Sequence, residues 1–296
     1  MLSPTGSRWM GGPFVVWLGI AVVPALVGAS GPTLAAEGYK PVWADEFDQD
    51  GPPNPQNWTY EHGFVRNDEL QWYQPANARC EGGMLVIEAR REQVANPRHD
   101  PQCRRWDRSR PQADYSSASL MTRGRHEWLY GRFVMRGRID TRRGLWPAFW
   151  TLGTARRWPG CGEIDVMESY DRKLLANAAW LAGRRGQVAW DSVERPLASF
   201  DDKNWGNRFH EWRMDWDRNR IKLHVDNELV NEIDVAAAVN DDDERAHPFR
   251  EPQYLLLNLA VGGTRGGDPS GTEFPARFEV DYVRVYQQPA AVSEPE

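Results

Sequence analysis

Residues 212–233 read WRMDWDRNRIKLHVDNELVNEI. Residues 212–216 and 221–225 alternate apolar and polar side chains, as a strand with one buried face must, because successive Cβ atoms point to opposite sides. Asp217-Arg218-Asn219-Arg220 between them is turn material, and Asp226-Asn227 turns the chain again toward residues 229–233. Strands joined by connections this short pair antiparallel. Outward from this stretch the same alternation recurs in residues 84–90 (MLVIEAR), 131–139 (GRFVMRGRI) and 277–286 (RFEVDYVRVY). Residues 254–261 (YLLLNLAV) are nearly all apolar and read as a strand covered on both faces. Residues 234–240 form the one short helix candidate. Many strands, frequent turns and almost no helix define an all-β chain of two packed antiparallel sheets.

Residues 37–286 contain no internal repeat and no long linker, and so read as one domain. The charged segment 91–111 is a surface loop within it, and residues 287–296 form a polar, flexible tail. Ahead of the domain, Arg8 precedes an apolar run at 14–27 (FVVWLGIAVVPALV), and the small residues Gly28-Ala29-Ser30-Gly31 and Ala35-Ala36 follow. That order predicts a signal peptide over residues 1–36 and a secreted or periplasmic product. The run is too short for a comfortable membrane span, and no later segment supplies one.

The formal net charge of −6 argues against nucleic acid or anionic lipid as partner, since both require clustered basic charge. The 15 tryptophans suit either a sandwich core or stacking on sugar rings. Three cysteines in an exported chain predict one bridge, Cys80 to Cys103, with Cys161 left as an odd, packed thiol; three reduced thiols are the alternative.

The chemistry concentrates in Gly162-Glu163-Ile164-Asp165-Val166-Met167-Glu168. Glu163 and Asp165 share a strand face, whereas Glu168 falls on the other unless one residue bulges, most simply Val166 or Met167. With the bulge, the glutamates lie about 13 Å apart at Cα, at ~3.3 Å per strand step. Their long side chains then bring the carboxyls to about 5 Å, the separation of a retaining glycosidase. Three carboxyls on one face repel, so at least one resists ionisation near neutral pH, as a general acid must. An acidic trio on a solvated strand, or a calcium site, is the plainer reading of these residues taken alone.

The setting of this segment resembles the family 16 glycoside hydrolases, in particular their laminarinase-like members. The likeness rests on Trp43-Ala44-Asp45-Glu46-Phe47-Asp48, Asn67-Asp68-Glu69-Leu70-Gln71, Gly83-Met84-Leu85-Val86-Ile87 and Gly144-Leu145-Trp146-Pro147-Ala148-Phe149-Trp150. It continues through the carboxylate strand to Asn258-Leu259-Ala260-Val261-Gly262-Gly263 and Val280-Asp281-Tyr282-Val283-Arg284-Val285-Tyr286. The resemblance implies a curved jelly-roll β-sandwich (concanavalin A-like) with an open cleft, and a secreted, monomeric endo-hydrolase of a β-linked polysaccharide. A β-1,3-glucan or mixed-linkage β-glucan is the expected substrate. An agarase- or carrageenase-like galactan hydrolase, a transglycosylase and a non-catalytic glycan-binding protein are the alternatives.

By the same resemblance Glu163 is the nucleophile, Glu168 the acid/base and Asp165 the residue that tunes Glu163, with no metal or organic cofactor in the chemistry. Asn67, Trp146, Trp150, Trp158 and Trp180 are expected to contact sugar. Glu46 and Asp281 match positions that can hold a structural calcium, though each can equally form a salt bridge. Two departures stand out: Asp68 replaces a more usual asparagine, and residues 174–180 (LLANAAW) lack the histidine common there, leaving Trp180 or Asn177 to serve the adjacent subsite.

Overall fold

A computed structural model of the chain describes residues 38–289 apart from 184, 185 and 203. The expected leader, residues 1–36, lies outside the described residues, as do 290–296 of the expected tail; Gln287 still belongs to the last strand. The fold is all-β, with two large antiparallel sheets, as the alternation requires. The eight-stranded sheet runs in the order Glu228–Asp234, Arg220–Val225, His210–Trp216, Gly131–Arg138, Ala276–Gln287, Leu85–Ala89, Ala78–Cys80, with Lys40–Asp45 also paired to Ala276–Gln287. The seven-stranded sheet runs Gln187–Pro196, Lys173–Gly183, Glu163–Tyr170, Leu145–Gly153, Gln253–Val261, Ser119–Met121, Thr59–Tyr60.

The meander at 210–234 forms for local reasons. Asp217 Oδ1 accepts the backbone N–H groups of Asn219 (2.6 Å) and Arg220 (2.9 Å), which closes the first turn. Asp226 and Asn227 take positive φ (49° and 67°), the left-handed pair that a two-residue hairpin turn needs. Residues 235–240 do not form the expected helix. The Asp234 carboxylate accepts the N–H of Ala236, closing one turn, and Asn240 then pairs its N–H with Ala246 O at 2.8 Å, drawing the chain out straight.

One apolar cluster spans the space between the sheets. Phe133, Met135, Trp212, Met214, Trp216, Phe278 and Val283 of the larger sheet meet Phe149, Ile164, Met167, Leu255, Leu257 and Leu259 of the smaller. Each large side chain that leaves water there contributes about 1.5–3 kcal/mol before entropy is counted. The tryptophans divide: Trp58, Trp205, Trp212 and Trp216 fill the interior, while Trp146, Trp150, Trp158 and Trp190 line a groove on the outer face of the seven-stranded sheet.

The cysteine expectation is overturned: Cys80, Cys103 and Cys161 are all free. Cys80 ends a strand inside the core while Cys103 sits in the 91–111 loop, which packs elsewhere. Cys161 is buried, its Sγ faces Gly162 O at 3.4 Å, and burial pushes its thiol up to about 11, so it is inert as expected.

Candidate active site

The strand Glu163–Tyr170 carries the anticipated bulge. Opposite Leu145–Gly153, Trp150 pairs with Asp165 and Phe149 with Met167, so Val166 is the extra residue. Opposite Lys173–Gly183 the same slip separates Asp165–Asn177 from Glu168–Leu175. Ile164, Val166 and Met167 all enter the core, and Glu163, Asp165 and Glu168 all line the outer groove. Two consecutive apolar residues facing inward are what move Glu168 to the side of the other two. The groove encloses about 620 Å³ and is open to solvent, a size suited to a bound oligomer rather than a buried cofactor.

The three carboxyls have distinct partners. Glu163 Oε2 accepts the indole N–H of Trp158 at 2.7 Å, while Glu168 Oε1 accepts that of Trp146 at 2.7 Å. The Asn177 amide donates at 3.2 Å to Asp165 Oδ2 and at 3.2 Å to Glu168 Oε2. Crowding by protein atoms raises the proton affinity of all three. Asp165, buried at 1% exposure and flanked by both glutamates, is held well above the usual carboxylate range. It therefore keeps its proton and shares a hydrogen bond with Glu163. Glu163 has the Trp158 N–H, that bond from Asp165 and the charge of Arg66 to favour its ionised form. Glu168 is pushed up to about 7 by burial and by the charge on Glu163, against the pull of Trp146 and Asn177. One glutamate is equipped to be anionic while its neighbour stays protonated near neutrality.

Most of the expected sugar contacts line this groove. Trp158 is 51% exposed beside Glu163, Trp146 leans edge-on to Tyr170 (5.1 Å), and Trp150 donates to Asn258 Oδ1 at 2.7 Å. Asn67 lines the groove in a positive-φ turn (57°) together with Asp68 (52°). Trp180 does not take part. It pairs one position beyond Ala179, which faces Glu163, so its ring points inward against Phe249 at 6.1 Å. Asn177 takes its place. Glu46 and Asp281 each take the salt-bridge alternative in this structure: the Arg284 guanidinium grips Glu46 at 2.7 and 2.8 Å, and Arg136 holds Asp281 at 2.6 Å. Among the described residues no group of three or more His, Cys, Asp or Glu side chains is placed to hold a metal ion.

The structure adds residues that the sequence did not single out. Arg66 lies over the Trp150 ring at 5.0 Å and pairs with Glu61 beneath the groove. Glu69, 2% exposed, accepts from Gln71 at 2.7 Å. Asn258 bridges Trp150 and Tyr73, and as the one polar side chain in YLLLNLAV it was open to detection as a residue on a functional face. Trp190 is 49% exposed and sits across from Ala179, hence in the row of Glu163. The alternation of Gln187–Pro196 carries that signal.

Paired carboxyls with different hydrogen-bond partners, in an open groove walled by tryptophans on an antiparallel sandwich, define a glycoside hydrolase. Comparison with known proteins agrees. The profile of the glycosyl hydrolases family 16 matches residues 72–284. The beta-glucanase of Rhodothermus marinus is 37% identical over 268 residues, 83% of this chain and 84% of that protein. The laminarinase catalytic domain of Thermotoga maritima MSB8 superposes with a TM-score of 0.69 at 32% identity, covering 84% of this chain and 98% of that one. A structure from work on endo-acting O-glycanases, which human gut microbiota express to initiate mucin breakdown, superposes with a TM-score of 0.77 at 32% identity over 85% and 91% of the two chains. Other curated relatives are longer, and the chain spans 35% to 57% of three of them.

The chain belongs to glycosyl hydrolase family 16. It is a jelly-roll endo-hydrolase of β-linked glycans, of a retaining family that needs no cofactor.

Proposed function

We propose that the protein cleaves internal linkages of a β-1,3-glucan or mixed-linkage β-glucan, with Glu163 as nucleophile and Glu168 as acid/base. The supporting observation is the bulged strand, which puts both glutamates in one groove with different hydrogen-bond partners. The Glu163 carboxylate attacks the anomeric carbon and the glycosidic C–O bond breaks. The Glu168 proton goes to the departing oxygen, leaving a glycosyl ester on Glu163. A water then gives its proton to Glu168 and attacks the same carbon, which releases the sugar with its configuration retained and restores both carboxyls. Asp165 keeps its proton throughout and steadies the changing charge on Glu163 by hydrogen bonding. Asn67, Trp146, Trp150 and Trp158 hold the sugars.

The glucan reading draws on the beta-glucanase and laminarinase relatives. The keratan-sulfate endo-1,4-beta-galactosidase of Sphingobacterium multivorum and the mucin O-glycanase relative make a galactan or mucin glycan the reading to set against it. The leader and mature domain are read as an exported monomer.

Incubation with laminarin, lichenan, agarose, carrageenan and mucin O-glycans, followed by product sizing, tests substrate and endo action together. Laminarin or lichenan oligomers of mixed length are expected; turnover confined to the galactans or mucin would refute the glucan assignment. Glu163→Gln and Glu168→Gln should each lower kcat on the polysaccharide by at least ~10³-fold with the fold intact. Near-normal turnover by either would remove its role.

A further inference from the structure

Asn177 is 3% exposed, stands in the strand next to the catalytic one, and spends its amide nitrogen on two carboxyls at once. Asp165 gives its own proton to the hydrogen bond with Glu163, so the oxygen that it turns to Asn177 accepts, and the nitrogen of the amide faces the two carboxyls while its oxygen faces away. That oxygen, Oδ1, is buried and has no hydrogen-bond partner. A buried acceptor left without a donor costs about 1–3 kcal/mol, so the pose of this amide is held by what its nitrogen gains from the two carboxyls.

We propose that Asn177 is a positioning residue for proton delivery: its amide N–H groups tie Glu168 to Asp165 in the proton-delivering pose. This rests on the assignment of Glu168 as acid/base. Asp165 is fixed by burial, so a donor shared between it and Glu168 fixes the second carboxyl relative to the first. The side chain is also the right length: an aspartate or glutamate there would add a fourth carboxyl to the crowded trio, while a leucine fills the volume with no donor. Glu168 faces Glu163 and Asp165 on its own strand, Glu69 across the groove, and Tyr170 with Arg265 and Glu194 around it. The amide is therefore one of two neutral donors, with the Trp146 indole, that offset this charge.

The test compares Asn177→Leu and Asn177→Asp with the wild type, using the full chain and the polysaccharide that the wild type hydrolyses. Thermal melts check that each variant folds. Asn177→Leu should lower kcat about 10-fold and move the alkaline limb of kcat/KM upward, because the proton on Glu168 is then held more tightly. An aryl oligosaccharide whose leaving group needs no proton should lose less than ~3-fold, since Glu168 has less to do there. Asn177→Asp replaces the shared donor by another carboxylate, so it should shift the pH limb further than the leucine does.

An unmoved pH limb, or equal losses on both substrates, would overturn the link to Glu168. Should the wild type hydrolyse nothing in the panel, the glucan and hydrolase readings fail by themselves. The amide bridge is then still judged by 13C NMR titration of Glu168, which must shift upward in Asn177→Leu.

Discussion

At the scale of single residues, the site works by giving like groups unlike neighbours. Glu163 and Glu168 have the same side chain, but one meets an exposed indole and the other a buried one, Trp146 at 2.7 Å. A hydrogen bond to a charged group contributes roughly 1.5–3 kcal/mol, so removing the Trp146 N–H should raise the Glu168 value from about 7 by roughly one to two units. Trp146→Phe is therefore expected to carry the alkaline limb of kcat/KM to higher pH, read from pH–rate profiles on the preferred glucan; a limb that moved down would contradict the bond. Residue identity was legible in the sequence where parity decides it. Glu163 and Asp165 follow from a period of two, and Glu168 from that period plus one bulge. Trp180 was misplaced because parity on its strand depends on pairing with the catalytic strand. Only the register Glu163–Ala179 reveals that the tryptophan points inward and Asn177 outward. Glu46 and Asp281 look like oxygen ligands in sequence, but their arginine partners lie 238 and 145 residues away.

At the scale of elements, the 91–111 loop supports the groove without entering it. Arg110 Nη1 donates to Glu69 O at 2.8 Å, and its guanidinium covers Phe64 and Trp106 at 5.4 Å each. Arg98 donates to Phe64 O at 3.1 Å on the other side. Between them they hold the turn in which Asn67 and Asp68 adopt positive φ, a conformation that costs non-glycine residues about 1 kcal/mol or more. Arg110→Ala should release that turn, raising KM for polysaccharide several-fold while kcat changes less than ~3-fold, because the carboxylates are untouched. Steady-state kinetics decide it, and a selective fall in kcat would count against a supporting role. The sequence marked this segment as a surface loop, which it is. What it packs against could not be read, because cation–π and carbonyl contacts between segments 40 residues apart leave no periodic trace. The meander at 210–234 was legible for the opposite reason, since its turns are closed by adjacent aspartates.

At the scale of the whole molecule, the groove is carried at a thermodynamic cost. The unfolded chain releases the Glu168 proton near its ordinary value of 4.5, while the folded chain holds it to about 7. Between those values the unfolded state binds fewer protons, so this group makes stability fall as pH rises, and above 7 the deficit is constant. Asp165 acts in the same direction, its affinity being raised as well. Glu168→Gln should remove its share: the variant is expected to gain about 3 kcal/mol over wild type at pH 8 and little at pH 4. Paired melts at the two pH values measure it, and a gain confined to low pH would reverse the sign of the argument. One apolar cluster joins both sheets, so this local deficit is absorbed by the entire sandwich rather than by a detachable part.

The double grip on Glu168 limits how traffic moves through the reaction. Each of its oxygens already accepts one N–H, from Trp146 on one and Asn177 on the other, which leaves one lone pair on each for a proton. In the proposed reaction Glu163 covers the opposite face of the sugar, so the incoming water must approach by the path the leaving sugar took, and the handedness of the product is decided by which corridor is open.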